Sequence, residues 1–404
     1  MIDVSAVRNL FPILNQKINN HDLIYLDNGA TTQKPNSVTR SIEDYYKKVN
    51  SNVHRGAHYL SNLSTEKYEQ TREKIKNFIG AKKTCEIILT KGTTDSINLI
   101  ANTFDSNINE GDEVIISEME HHSNIVPWQI CCDKNKAVLK VVPILNSGEI
   151  DFDKFQSLLS KKTKLVSISH VSNVLGTINP IKKIIDLAHK FKAKVFIDGA
   201  QAASHIKLDV QKLNVDFYCF SAHKLYGPTG VGVLYGKESI LNELEPYQGG
   251  GEMIKSVDFN KTTYADLPHK FEAGTPNIAG VVSFSKSIDF LESVGLDNIK
   301  SHQEKLLQYA TKKLLEIKDV IIYGPKHQKA AIISFNIKNV HPYDVGVLLD
   351  KMGIAIRTGH HCAQPLMKKY NIPGTIRLSF AVYNTTKEID LCIDAIKKSK
   401  KMLT

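Results

Sequence analysis

At 404 residues, with 42% hydrophobic and 23% charged side chains, the chain suits two packed globular domains and has none of the marks of a disordered or fibrous protein. Its formal charge of +10 comes from scattered lysines without aromatic interleaving, so a nucleic-acid surface is not expected and a weak attraction to acidic partners is all that follows. Six cysteines with no C-x-x-C pair do not make a disulfide framework and fit a reducing compartment.

The segment Met1 to Arg8 lacks the basic and apolar regions of a secretory signal, and no stretch is apolar for long enough to span a bilayer. A soluble, cytoplasmic protein is expected. Residues 1–20 form an arm with no obvious place in a sheet, expected to pack on a second domain. From 21 to 280, short apolar runs alternate with amphipathic stretches, the pattern of a large α/β domain with a mostly parallel sheet flanked by helices. Strands are expected at 86–90, 113–117, 138–143, 165–169, 194–198 and 216–221, with helices at 93–103, 153–160 and 181–192. A smaller α+β domain is expected over 281–404, opening with helices at 283–294 and 298–318. The late run Lys397, Lys398, Lys400 and Lys401 reads as a solvated helix end that complements the helix dipole.

Along this frame the first chemical feature is Lys91-Gly92-Thr93-Thr94-Asp95-Ser96, where a strand ends in a small-residue turn that opens a helix. Its backbone N–H groups and hydroxyls suit a phosphate, or Thr93 is a plain N-cap. Neither standard nucleotide loop is present, since Gly230-Val231-Gly232-Val233-Leu234-Tyr235-Gly236 misses G-x-G-x-x-G by one residue. The adjacent His121 and His122 would point in different directions; with His360, His361 and Cys362 they lack metal-ligand spacing, and no metal is expected. Asp198 ends an apolar strand, where a carboxylate needs a cationic partner such as a pyridinium nitrogen, or caps the next helix. Lys224 ends the apolar run from Val215 past Ser221 and His223. An amine that is to attack a carbonyl must be held rigidly and partly desolvated; otherwise Lys224 follows a strand onto the surface. Asp198, Ser221 and Lys224 all fall at the C-terminal edge of one sheet, where open α/β folds bind ligands.

Cys362 lies in Ile356-Arg357-Thr358-Gly359-His360-His361-Cys362, a polar stretch that is a poor site for an inert buried thiol. Neighbouring Arg or protonated His would favour the thiolate, the nucleophilic form. Arg377, on an expected strand, would either bind a buried carboxylate bidentately or face outward on an edge.

The stretch from Val215 through His223-Lys224 to Gly230-Val231-Gly232-Val233-Leu234 resembles the lysine signature of the class V aminotransferases, pyridoxal-phosphate enzymes of the type I fold with a seven-stranded sheet. The resemblance implies that Lys224 carries the cofactor covalently, that Asp198 keeps its ring nitrogen protonated, and that Gln201 and Asn173 reach its phenolic oxygen. Thr93, Ser221 and His223 would hold the phosphate, His121 would stack on the ring and act as a protonated acid, and Thr275 would reach over from a neighbouring subunit in a homodimer. Arg357-Thr358-Gly359-His360-His361-Cys362 resembles the cysteine motif of the SUF-type, or group II, cysteine desulfurases. Tyr25-Leu26-Asp27-Asn28-Gly29-Ala30-Thr31-Thr32 and Asn52-Val53-His54-Arg55-Gly56-Ala57-His58 extend the agreement over nearly the whole chain. By that resemblance L-cysteine becomes L-alanine, Cys362 takes the sulfur as a persulfide, and Arg377, Arg357, Asn173 and His54 bind substrate. A SUF-type acceptor protein would carry the sulfur to iron-sulfur cluster assembly, and Tyr343, where some relatives have a histidine, favours the zinc-free acceptor type. L-Selenocysteine lyase is the neighbouring alternative; a basic RNA- or zinc-binding protein on a degenerate enzyme fold is the distant one.

Overall fold

The computed structural model describes residues 2–404. Seven strands build the central sheet: β1 (Ile87–Thr90), β2 (Glu113–Ser117), β3 (Val138–Val142), β4 (Thr163–Ser169), β5 (Lys194–Asp198), β6 (Phe217–Ser221) and β7 (Gly232–Gly236). Their spatial order is β1-β7-β6-β5-β4-β2-β3, and only β7 runs antiparallel to its neighbours. Strands β2, β6 and β7 are buried along their whole length, as a sheet with both faces covered requires. Helices Tyr59–Ile79, Ile181–Lys190 and Ile278–Val294 pack on one face, and Thr93–Thr103 and Val126–Asn135 on the other. This is the expected large α/β domain with its mostly parallel sheet.

Strand β7 was not among the strands expected from the sequence. Its glycines look like a failed nucleotide loop, but Gly232 serves packing: a Cβ there would lie 2.4 Å from the Gly92 Cα. Only a glycine lets β7 run against the turn that opens helix Thr93–Thr103.

The second domain holds an antiparallel sheet of β8 (Val320–Tyr323), β9 (Ile332–Ile337), β10 (Arg357–Gly359) and β11 (Thr375–Ser379), in the order β8-β9-β11-β10. Helices Leu296–Leu315, Pro342–Lys351 and Thr386–Leu403 cover it, and Thr385 with Glu388 makes a capping box at the start of the last.

Both expected boundaries of the large domain move. Helix Ile278–Val294 belongs with the central sheet, where Phe284, Ile288 and Leu291 are buried, so the chain changes domain at Gly295 rather than at 280. Near the start, Ile24–Tyr25 pairs in parallel with Ile354–Ala355, and Asp27 bridges to Ser379. Ile24 and Leu26 are buried in the core of the second domain, although the sequence reading places them in the first. The N-terminal arm meets both domains. Arg8 pairs with Glu388 on the last helix at 2.8 Å, while Phe11 packs against Tyr226, Phe290 and Tyr383. Among the described residues no helix is long and apolar enough to cross a membrane.

The large domain also holds a buried ion cluster centred on Arg72. The Arg72 guanidinium donates to both oxygens of Glu272 at 2.6 and 2.9 Å, to Glu69 at 2.9 Å and to the Ile87 carbonyl at 2.8 Å. Arg72→Met would leave the Glu272 carboxylate buried without its cation, and breaking a buried pair from one side costs about 3–5 kcal/mol. The midpoint of urea unfolding should fall accordingly; an unchanged midpoint would show that the cluster contributes nothing net.

Candidate active site

Serine, aspartate and serine end β4, β5 and β6 at Ser169, Asp198 and Ser221, and together they open into a cavity of about 410 Å³ at the seam between the domains. This is the C-terminal edge of the parallel sheet, where the strand ends leave backbone groups free and the crossovers part. Lys224, Asp198, Gln201, Thr93, Ser221, His223, His121 and Asn173 all line it, and so do Arg357, Arg377 and Cys362 from the second domain.

Lys224 is half-buried on the short turn after β6, and desolvation lowers its pKa from the ordinary lysine range, against the pull of Asp198. It does not follow β6 to the surface. Its turn is gripped from the N-terminal segment: the His223 carbonyl accepts from the Thr32 N–H at 3.0 Å and from Thr31, Thr32 and Lys34 side chains at 3.1 Å. Asp198 accepts from the Ala200 N–H at 2.9 Å, and among the described residues no cation pairs with it. Burial raises its pKa, which marks a carboxylate waiting for a positive partner.

At the other end of the cavity stand the hydroxyls of Thr93, Thr94, Ser123 and Ser221 around the start of helix Thr93–Thr103. Thr93 is not the N-cap. Gly92 holds that position, and the Thr93 N–H and hydroxyl both meet the Ser221 Oγ at 2.8 Å. A hydroxyl-lined helix N-terminus suits a phosphate. An unpaired acid, a desolvated low-pKa amine and an anion cradle in one cavity fit a phosphorylated pyridine aldehyde, and the donor set fits no nucleotide loop.

His121 departs from its expected state. Burial, reinforced by Lys224, pushes its pKa down to about 3, and its Nδ1 accepts from the Ser123 N–H at 3.1 Å. Both favour a neutral imidazole with Nδ1 as acceptor over the protonated acid expected from sequence.

On the second-domain side, Arg377 on β11 is fully buried and finds its carboxylate in Asp27, through one N–H at 3.1 Å rather than a bidentate fork. Another N–H goes to the Asn173 carbonyl at 2.9 Å, and its Nε has no partner. Arg357 reaches the second oxygen of the same Asp27 at 3.3 Å. Asp27 arrives there because the Ile24–Tyr25 pairing carries it alongside β11. The Asn173 amide donates to the His361 carbonyl at 2.8 Å, so it holds the Cys362 turn. Cys362 itself is half-buried. As expected, the paired histidines diverge: His121 lines the cavity, whereas His122 accepts from the Gln364 N–H at 3.1 Å. His361 is buried against Thr375 at 2.8 Å.

Two expected residues lie outside this cavity. Thr275 is exposed, and His54 bonds to Glu69 at 2.9 Å, its ring 4.8 Å from that of His269. The ligand atoms of His54, Glu69 and His269 come within 4.8 Å of one another, but Glu69 already accepts from both His54 and Arg72, which makes this an ion-paired cluster. Sequence reading assigned no role to Asp27, His122 or Lys34. The only local signal was Asp27 at the end of the short apolar run Leu23 to Leu26, the same pattern that marked Asp198.

The family described as aminotransferase class V matches residues 24–392. A probable cysteine desulfurase of Halalkalibacterium halodurans is 50% identical over 401 residues, spanning 99% of this chain and 98% of the relative. One from Staphylococcus aureus is 49% identical over 404 residues, spanning 100% and 98%. Among solved structures, the apo cysteine desulfurase of Thermococcus onnurineus NA1 matches with a TM-score of 0.95 at 38% identity, over 100% of this chain and 99% of that one. The cysteine desulfurase CsdA of Escherichia coli, in an S-sulfonic acid form, matches with a TM-score of 0.93 at 35% identity over 100% of both.

Proposed function

This chain belongs to the class V aminotransferase family, and on that footing we propose that it is a cysteine desulfurase, converting L-cysteine to L-alanine and holding the sulfur as a persulfide on Cys362. The observation that carries the reading is that one cavity joins the desolvated amine of Lys224 to the thiol of Cys362. An ordinary aminotransferase has no use for that thiol.

Pyridoxal 5'-phosphate, when bound, supplies an electron sink for carbanion chemistry at the substrate. Lys224 carries it, Asp198 holds its ring nitrogen protonated, Gln201 adds a polar contact, and Thr93, Ser221 and His223 hold its phosphate. The substrate carboxylate binds Arg377, whose free Nε and fixed plane suit it, with Arg357 completing the clamp. Lys224, its amine favoured neutral by desolvation, takes the proton from Cα. The Cys362 thiolate attacks the substrate sulfur: a sulfur–sulfur bond forms, the Cβ–S bond breaks, and its electron pair stays with carbon. Protonation of that carbon, and return of the proton from the Lys224 amine to Cα, give alanine. The sulfur is oxidised to the persulfide level as Cβ is reduced, so no outside oxidant is required.

The enzyme works as a homodimer in which His54 and Thr275 complete the partner's cavity. Support for this comes from Arg72, which ties Glu69 beside His54 to Glu272 in the loop before Thr275, presenting both segments together on the surface. The short tether of Cys362 calls for a docked SUF-type acceptor protein that takes the sulfur for iron-sulfur cluster assembly. Mass spectrometry after brief exposure to cysteine should find one added sulfur atom on the peptide holding Cys362, removable by a thiol reductant. Sulfur on another cysteine, or none, would overturn the assignment.

A further inference from the structure

Cys362 sits on a strained turn whose local bonds come from His360, where the carbonyl accepts from the Ala363 N–H at 2.8 Å and Nδ1 accepts from the Cys362 N–H. His361 and Cys362 both have left-handed backbones, at φ 51° and 55°, a conformation that non-glycine residues keep only where their surroundings over-determine it. The helix that follows, Gln364–Tyr370, begins after Ala363, which has no side-chain oxygen to cap the orphan N–H groups of its first turn.

One residue from the other domain meets both needs. The His122 backbone N–H donates to the Cys362 carbonyl at 2.7 Å, and its Nε2 accepts from the Gln364 N–H at 3.1 Å. The two bonds bracket the thiol. The His122 ring also stands 5.8 Å from that of His360, whose Nδ1 accepts from the Cys362 N–H at 3.2 Å. Burial and the neighbouring His360 lower the pKa of His122, which keeps Nε2 free to accept. His121, the next residue in the same loop, faces the cavity.

We propose that His122 is a positioning residue for Cys362: it caps in trans the helix that follows the thiol and pins the thiol's turn to the loop that carries His121. This rests on the reading of Cys362 as the residue that takes the sulfur. The side chain, not the backbone bond, is the part that substitution can remove.

The test uses the holoenzyme with His122→Ala and His122→Gln. Alanine removes the acceptor and keeps the backbone bond; glutamine restores an acceptor oxygen at similar reach. For His122→Ala, single-turnover alanine formation should fall about 100-fold, the effect of displacing an attacking group by about 1 Å. KM for cysteine and the cofactor absorption band should stay as in the wild type, and amide hydrogen exchange at Gln364 should quicken. His122→Gln should recover most of the rate and slow that exchange again. Wild-type turnover with unchanged exchange in His122→Ala would overturn the proposal, and so would a His122→Gln enzyme as slow as His122→Ala, since the ring and not its acceptor would then matter. The reading of Cys362 fails by a separate sign, alanine formation that survives Cys362→Ser, however the His122 variants behave.

Discussion

An enzyme carrying Lys224→Ala loses the absorption band of its bound cofactor and makes alanine from cysteine at least about a thousand-fold more slowly, the scale of removing a positioned base together with a covalent anchor. Lys224 is half-buried and is the one lysine among the described residues that line the cavity, so no other amine there can take its place. The protein should still fold, because the contacts that hold the turn run through the His223 carbonyl and not through the lysine amine. A wild-type protein with no such band, or a Lys224→Ala protein that keeps it, would place the anchor elsewhere and reopen the reading of a degenerate enzyme fold.

The second large effect separates binding from sulfur transfer. Cys362→Ser should keep the cofactor band and bind cysteine, yet yield no detectable alanine and no protein-bound sulfur. Serine preserves the size of the side chain, but its oxygen is neither a thiolate nor a stable carrier of sulfur. Spectroscopic titration with cysteine alongside an alanine assay distinguishes the steps. Turnover at the wild-type level would remove Cys362 from the chemistry and turn attention to lyase or kynureninase-like routes.

Parallel strands read well from sequence because burial on both faces makes them continuous apolar runs, as at Glu113–Ser117 and Lys194–Asp198. Strand β7 was missed because Gly232 answers to the Gly92 backbone, a contact between residues 140 apart that no local pattern announces. Helix Ile278–Val294 was recognisable as a helix, but nothing in its periodicity says which sheet it covers. The same divide runs through the site. Lys224, Asp198 and Cys362 stand out because each is a costly residue for its local surroundings, an amine or acid at the end of an apolar strand or a thiol among cations. Asp27, His122 and Lys34 escaped because they act through hydrogen bonds to backbone or side-chain groups far along the chain. For Thr93 the sequence left a phosphate contact and a plain N-cap open, and the fold removes the second, since Gly92 caps the helix and leaves the threonine hydroxyl to Ser221. His121 lines the cavity, but its protonation state depends on burial and on Lys224, which only the folded chain brings together.

The sharing of Asp27 by Arg377 and Arg357 has an electrical meaning. Two guanidiniums facing one carboxylate leave that end of the cavity with an excess of positive charge, screened little at the buried Arg377 and more at the exposed Arg357. An amino-acid substrate would bring a counter-ion in its own carboxylate, so filling the cavity would offset that excess. Since both arginines ride on the second domain while Lys224 rides on the first, an amino acid with its carboxylate on the arginines and its amine toward Lys224 would bridge the two halves. Selecting the substrate and bringing the thiol into line with it would then be one electrostatic event.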